Sequence, residues 1–273
     1  MRKFYVTLAL ICTAFATEAQ TDSTKTPAAD TIRIGSMIII KKGDGKYDNG
    51  EVKINRRTKK NENVSTNWFI VDLGYSNFTD KTNYTALQTS MPGINEDWFN
   101  LRNGKSTNVN IWIFMQRLNM IEHVVNLKYG MGLELNNYRY TEKLRYDKTT
   151  SKFYLDAAAD NNYSKNKLAA DYLTIPLMLN FNFTPRNDNN KSFGFSAGVS
   201  GGFLYSSRQK TITSKEGKEK LHDDFDLQPF KLSYIAELQL GPIKLYGSLA
   251  TKNMFKKNLD QTPFNIGFRL SNW

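Results

Sequence analysis

Residues 171–183, DYLTIPLMLNFNF, alternate between two kinds of side chain over the eleven positions from Leu173 to Phe183. One parity carries Leu173, Ile175, Leu177, Leu179, Phe181 and Phe183. The other carries Thr174, Pro176, Met178, Asn180 and Asn182. A helix is excluded, because Pro176 in a helix interior removes a donor and clashes with the preceding turn, at about 3 kcal/mol. A two-residue period is a strand with one apolar and one largely polar face. Its length matches the roughly 9–11 residues with which a tilted strand crosses a bilayer.

The same alternation recurs eight times after about residue 67. It predicts strands over about 67–77, 107–117, 123–136, 171–183, 193–206, 231–240, 243–251 and 263–272. Their apolar faces run Phe69–Tyr75, Val109–Met115, Val125–Leu135, Leu173–Phe183, Phe193–Tyr205, Leu232–Leu240, Ile243–Leu249 and Phe264–Leu270. The opposite faces are small or polar: Gly194, Ser196, Gly198, Ser200, Gly202 and Ser206 in the fifth strand, and Asn108, Asn110, Trp112, Phe114 and Gln116 in the second. Short connections (about 118–122, 184–192 and Gly241-Pro242) alternate with long ones (about 78–106, 137–170, 207–230 and 252–262). An even strand count with segregated loop lengths predicts an all-β fold, an eight-stranded antiparallel up-and-down transmembrane barrel over 67–273. A soluble lipocalin-type barrel shares the alternation but turns its apolar face inward. Eight strands leave room in the lumen for side chains only, so a general porin is not expected. Pro176 lacks a backbone donor in a barrel that has no free edge, which predicts a bulge or an interrupted ladder beside it.

Residues 1–19 have the layout of a secretory signal: Arg2 and Lys3, an apolar run from Phe4 to Phe15, and small residues before Gln20. The single cysteine, Cys12, lies inside it, preceded by Ile11 rather than the small residue that lipid attachment favours; the mature chain then has no thiol chemistry. Residues 20–66 are polar and read as a short periplasmic N-terminal segment, with strand-like pieces at Thr31–Lys42 and Glu51–Arg56 around the turn-rich GDGKYDNG. The formal net charge of +11 points to anionic lipid or glycan phosphate before nucleic acid, and simple solubility explains it equally well. KINRRTKK, 53–60, lacks the interleaved aromatics of a nucleic-acid binder and reads as a solvated linker or a contact for another envelope protein.

Tyr172, Leu173, Ile175, Pro176, Leu177 and Leu179, followed by a hydrophilic turn and the glycine-rich FGFSAGVSGGFLY, resemble a segment of the PorT-like outer-membrane β-barrels typical of Bacteroidota. DTIRIGSMIIIKK, 30–42, is similar to the lead-in of some members. The resemblance implies an eight-stranded outer-membrane barrel and little about activity, because that family is functionally mixed. Such barrels usually end in an aromatic residue. Trp273 supplies it, although Phe264, Ile266, Phe268 and Leu270 alternate with the other parity.

Parity places Asp72, Lys128, Glu134, Glu237 and Arg269 in the lumen, where charges should pair into a plug rather than form a gate. No catalytic residue is expected: His123 sits at a short turn and His222 in a long loop, neither beside a nucleophile motif. No metal or cofactor is expected either. HDDFD, 222–226, is a single acidic loop, and Asp44, Asp48, Asn49 and Glu51 miss the calcium-loop spacing. Basic and aromatic loop residues (Lys143, Arg145, Lys148, Lys152, Lys165 and Lys167, with Tyr138, Tyr140, Tyr146 and Tyr154) suit either lipopolysaccharide phosphates or an ordered extension that binds a partner. Expected partners are outer-membrane lipid and lipopolysaccharide, the barrel-assembly machinery, and another envelope protein reached through the long loops or the N-terminal segment. The expected role is structural or partner-binding. A narrow channel or secretion accessory, and a barrel enzyme acting on lipid or peptide bonds, stand as alternatives.

Overall fold

The computed structural model of the protein describes residues 31–34, 37–40, 62–158, 160–185 and 192–270. The signal, Cys12, GDGKYDNG, Glu51–Arg56, KINRRTKK and Trp273 lie outside the described residues. The chain divides into two compact units at Lys60/Asn61. In the first, Thr31–Ile34 (β1) and Met37–Ile40 (β2) pair antiparallel, with Ile34 opposite Met37. The single strand expected over Thr31–Lys42 is therefore a hairpin.

Among its described residues the second unit is all β apart from three short helical turns, Tyr84–Leu87, Glu96–Phe99 and Asn103–Lys105. Its strands are Val64–Asp80 (β3), Thr107–Ile121 (β4), Val125–Arg139 (β5), Leu144–Asp147 (β6), Lys152–Leu155 (β7), Tyr163–Asn182 (β8), Phe193–Thr213 (β9), Gly217–His222 (β10), Phe230–Leu240 (β11), Ile243–Ala250 (β12) and Gln261–Leu270 (β13). Every pairing is antiparallel. The ring runs β3-β4-β5-β8-β9-β11-β12-β13 and closes where β13 meets β3, while β10 hangs on β9 alone. This is the eight-stranded up-and-down barrel that the alternation predicts. Exposed Leu173, Ile175, Leu177 and Leu179 alternate along β8 with Thr174, Pro176, Met178 and Asn180, which are buried in the lumen.

Three features differ from the expected layout. First, β8 starts at Tyr163 and β9 runs to Thr213, so the wall rises well past the apolar band into segments read as loops. The added residues are polar on one face and bury the other, a pattern with no apolar stripe to announce it. Second, β-bulges shift the parity. Phe69 stands at φ 54° and is skipped between Trp68 and Ile70, and Ile113 is skipped between Trp112 and Phe114. An extra residue flips every side chain beyond it. Met115, expected outside, is fully buried in the lumen, while Phe114, expected inside, packs against exposed Trp68 on the outer wall. The same flip turns Arg117 rather than Gln116 inward. Third, Tyr205 is skipped on β9, which carries Ser206 from the expected lumen face to the outer face beside Arg208.

Pro176 behaves as its chemistry requires. It faces the lumen, and the ladder to β9 passes through it at Ser200. The ladder to β5 is interrupted there. Pairing stops after Tyr129–Leu177 and resumes at Gly132–Thr174 in the same register, so Gly130 and Met131 are left without ladder partners on β8.

Candidate functional site

Two ion-paired clusters fill the lumen. In one, Arg269 on β13 grips Asp72 on β3 with both ends of its fork, Nε to Oδ1 at 2.7 Å and Nη2 to Oδ2 at 2.8 Å. Its Nη1 reaches Glu237 on β11, and Glu237 accepts from Lys128 on β5. Asp72 is further satisfied by Trp112 Nε1 at 2.7 Å and Asn110 Nδ2 at 3.2 Å. The planar guanidinium suits this bidentate role, which an ammonium cannot reproduce. In the other cluster, Glu134 on β5 accepts from Lys231 on β11, from Asn265 at 3.1 Å, from Asn136 at 3.2 Å and from Thr174 at 3.3 Å. Lys231 also lies over the Tyr172 ring, 4.5 Å from its centroid.

All five charges assigned to the lumen by parity are found there, joined by three further cations, Lys231, Lys244 and Arg117. Lys231 shares its parity with Glu237 and was legible from it. Lys244 likewise shares the inward parity of Tyr246. Arg117 is placed by the bulge at Ile113, for which the sequence carries no signal. Paired carboxylates and cations of this kind are stable in a low-dielectric interior only when their remaining hydrogen-bonding capacity is met, and both oxygens of Asp72, Glu134 and Glu237 accept hydrogen bonds here. The gaps left between them are small: one of about 30 Å³ lined by Asp72, Trp112 and Glu134, and one of about 20 Å³ lined by Arg117, Lys128 and Lys244. Each has room for little more than a water molecule.

Above the ion pairs the four long connections fold together over the barrel mouth. Each contributes aromatic residues to one apolar cluster. Phe99 of the β3–β4 connection meets Phe153 of β7 at 5.5 Å between ring centroids; Phe153 meets Tyr146 of β6 at 5.1 Å and Phe255 of the β12–β13 connection at 5.9 Å. Tyr146 meets Phe225 of the β9–β11 connection in turn, tilted at 55° with 4.9 Å between centroids. Ile94, Phe99, Phe225 and Phe255 are at most 2% exposed. Ion pairs cross the outside of this cap: Arg145 with Glu216 and Glu219, Lys148 with Asp223, and Lys256 with Asp224 at 2.9 Å. The Lys256 ammonium holds the Asp224 carboxyl below its ordinary value, helped by the Asp226 amide. The Ala158 amide, followed by the Tyr163 hydroxyl, does the same for Asp156.

Several loop residues therefore have different surroundings from those expected. Tyr138, Tyr140 and Tyr146 are buried in the cap, and only Tyr154 of the four tyrosines is exposed. In the HDDFD segment Asp223 and Asp224 pair with Lys148 and Lys256, and Phe225 is buried. No group of three or more potential metal ligands occurs among the described residues. His123, at φ 60° in the tight turn after β4, and His222, at the end of β10, sit on separate elements. A larger space, about 530 Å³, lies where the upper wall meets the cap. It is lined by Tyr172 and Lys231 from the lumen side and by Ile175, Phe203 and Phe230 from the outer side.

Residues 56–269 match the family described as outer membrane protein beta-barrel domain. The comparison with curated proteins gave no match.

Proposed function

Since the chain belongs to the outer membrane protein beta-barrel domain family and is an integral outer-membrane barrel, we propose that it works as a closed barrel presenting a rigid head to a partner in the cell envelope. One observation carries this reading: the barrel is obstructed twice, by the Asp72–Arg269–Glu237–Lys128 network within and by the aromatic cap above. A conduit needs neither, whereas an ordered surface held on a packed core is what recognition needs. In this reading the long connections face outside, both termini lie in the periplasm, and residues 20–66 offer a second contact surface. The role is structural or partner-binding and non-catalytic, as in a PorT-like member of the family from a Bacteroidota-type envelope. Expected contacts are the barrel-assembly machinery during insertion and another envelope protein afterwards.

Two measurements test it. In planar bilayers the purified protein gives no discrete conductance steps; steady ion currents would favour the narrow-channel alternative. A cysteine introduced in the cap at Ser151→Cys is labelled by a membrane-impermeant maleimide on intact cells. Labelling only after the outer membrane is opened would reverse the orientation.

A further inference from the structure

Above the apolar band, β8, β9 and β10 continue as a three-stranded flap whose inner face packs on the cap. Gln209 and Thr211 on that face are buried, and Gln209 donates to Leu144 O and Asn166 Oδ1. The outer face is a grid of cations. Lys167, Lys210 and Lys220 lie directly opposite one another across the three strands. In the next row toward the tip, Lys165 and Lys218 flank Ile212. In the row toward the membrane, Arg208 stands opposite Ala169 and His222 and holds Asp171 at 2.5 Å.

Like charges placed directly opposite across strands repel, so three in one row are destabilising unless an anion is shared among them. None of Lys165, Lys210, Lys218 and Lys220 forms an ion pair among the described residues; Lys167 donates to the neutral Asn137 Oδ1, and the carboxylate that attracts it, Asp171, is already held by Arg208. The position is equally specific. Four residues below Ala169 on β8, about 13 Å along the strand, Leu173 and Phe203 begin the exposed apolar wall, with Tyr205 exposed between the two zones. Lower still, Gly201 lies opposite both Ile175 and Leu232 and leaves a recess that no side chain fills. Cations, then an aromatic, then an apolar recess follow the order phosphate, interface and acyl chain of a lipid seated against the wall.

We propose that the outer face of the β8–β9–β10 flap binds the phosphorylated headgroup of a lipid in the leaflet at the long-connection end of the barrel. The cation row carrying Lys167, Lys210 and Lys220 takes the phosphate, and the wall around Gly201 takes an acyl chain. The site rests on the orientation given above only for which leaflet supplies the lipid. The recognition is electrostatic, so it weakens as ionic strength rises.

The full mature chain in a non-ionic detergent is titrated with bisphosphorylated lipid A, with its phosphate-free form, and with millimolar inorganic phosphate. Binding is read by native mass spectrometry and by the shift in thermal unfolding that a ligand of the folded state produces. The bisphosphorylated lipid should give a one-to-one adduct and raise the midpoint, and the other two should do neither. The Lys210→Gln/Lys220→Gln variant should bind at least tenfold more weakly, yet unfold without ligand at the same or a higher temperature, because the repulsion is relieved. Lys148→Gln/Lys256→Gln, which removes paired cap lysines, should leave the affinity unchanged. Equal binding of the two lipid forms, unchanged affinity in Lys210→Gln/Lys220→Gln, or a full shift from inorganic phosphate alone overturns the proposal. The Ser151→Cys labelling is independent of all three, so a wrong orientation and a wrong ligand are told apart.

Discussion

Replacing Arg269 with Met is the sharpest perturbation of the lumen. The substitution keeps much of the side-chain volume and removes the cation that bridges Asp72 and Glu237. Removing one member of a buried pair typically costs about 3–5 kcal/mol, because the partner stays buried and unpaired. Here the lower end of that range applies. Asp72, completely buried, keeps its hydrogen bonds from Trp112 and Asn110, and Glu237 keeps Lys128. About 3 kcal/mol is roughly a hundredfold in the folding equilibrium. Urea titration of the barrel in lipid vesicles, followed by the gel shift between unboiled and boiled samples, reads this as a lower midpoint with an unchanged slope. The double variant Asp72→Asn/Arg269→Met discards the orphaned charge along with its partner. Its loss should fall short of the sum of the two single losses by about 0.5–3 kcal/mol, the range for residues in one network. Strict additivity, or a single variant as stable as the parent, would refute the view that the network is a mutually satisfied plug.

Phe99→Ala removes the aromatic that joins the β3–β4 connection to β7, and the loss for a buried Phe is about 3–5 kcal/mol. Because it falls on the cap, protease should cut residues 81–106 sooner while the barrel keeps its gel shift; simultaneous loss of both would mean that cap and barrel unfold as one unit. Gly198→Ala should block barrel assembly, since a Cβ there would lie 2.1 Å from the Leu177 carbonyl oxygen on β8, and normal yield of folded protein would contradict that approach. The cap should also loosen in acid. Asp224 and Asp156 titrate below their ordinary values in the folded protein. Their contribution is therefore intact above the unfolded carboxylate pKa of about 4 and is lost as pH falls through the lower folded values. Amide exchange of the 214–229 connection, compared at pH 5 and near pH 3, should show the loss, and Asp224→Asn should weaken the dependence.

The strand number, the ring order and most of the lumen charges were legible because a half-buried strand writes its register as parity. Asp72, Lys128, Glu134, Glu237 and Arg269 all follow from counting by two. What escaped was whatever breaks the count. Phe69, Ile113 and Tyr205 are ordinary apolar residues in sequence, and only the fit between neighbouring strands decides which of them is extruded. That fit turned Met115 and Arg117 inward and Ser206 outward. The cap escaped for another reason. Ile94, Trp98 and Phe99 come from one connection, Phe225 and Phe255 from two others, and the three segments have no shared period, so their convergence exists only after the ring has closed and set the loops side by side.

The interruption at Pro176 is not isolated. The skipped Phe69 on β3 sits beside the skipped Ile113 on β4, whose neighbour Phe114 pairs with Met131 on β5, and Met131 with Gly130 faces the gap at Ile175–Pro176 on β8. Four adjacent staves of the wall are thus notched at one height. A closed wall usually shields its amides best at mid-height and least at its rims. In this molecule half of the circumference carries a horizontal seam, so exchange with deuterated water should be quicker around residues 69, 113 and 130 than a few residues to either side. The opposite half, β9 through β13, should show the ordinary profile, giving a wall stiff on one side and creased on the other.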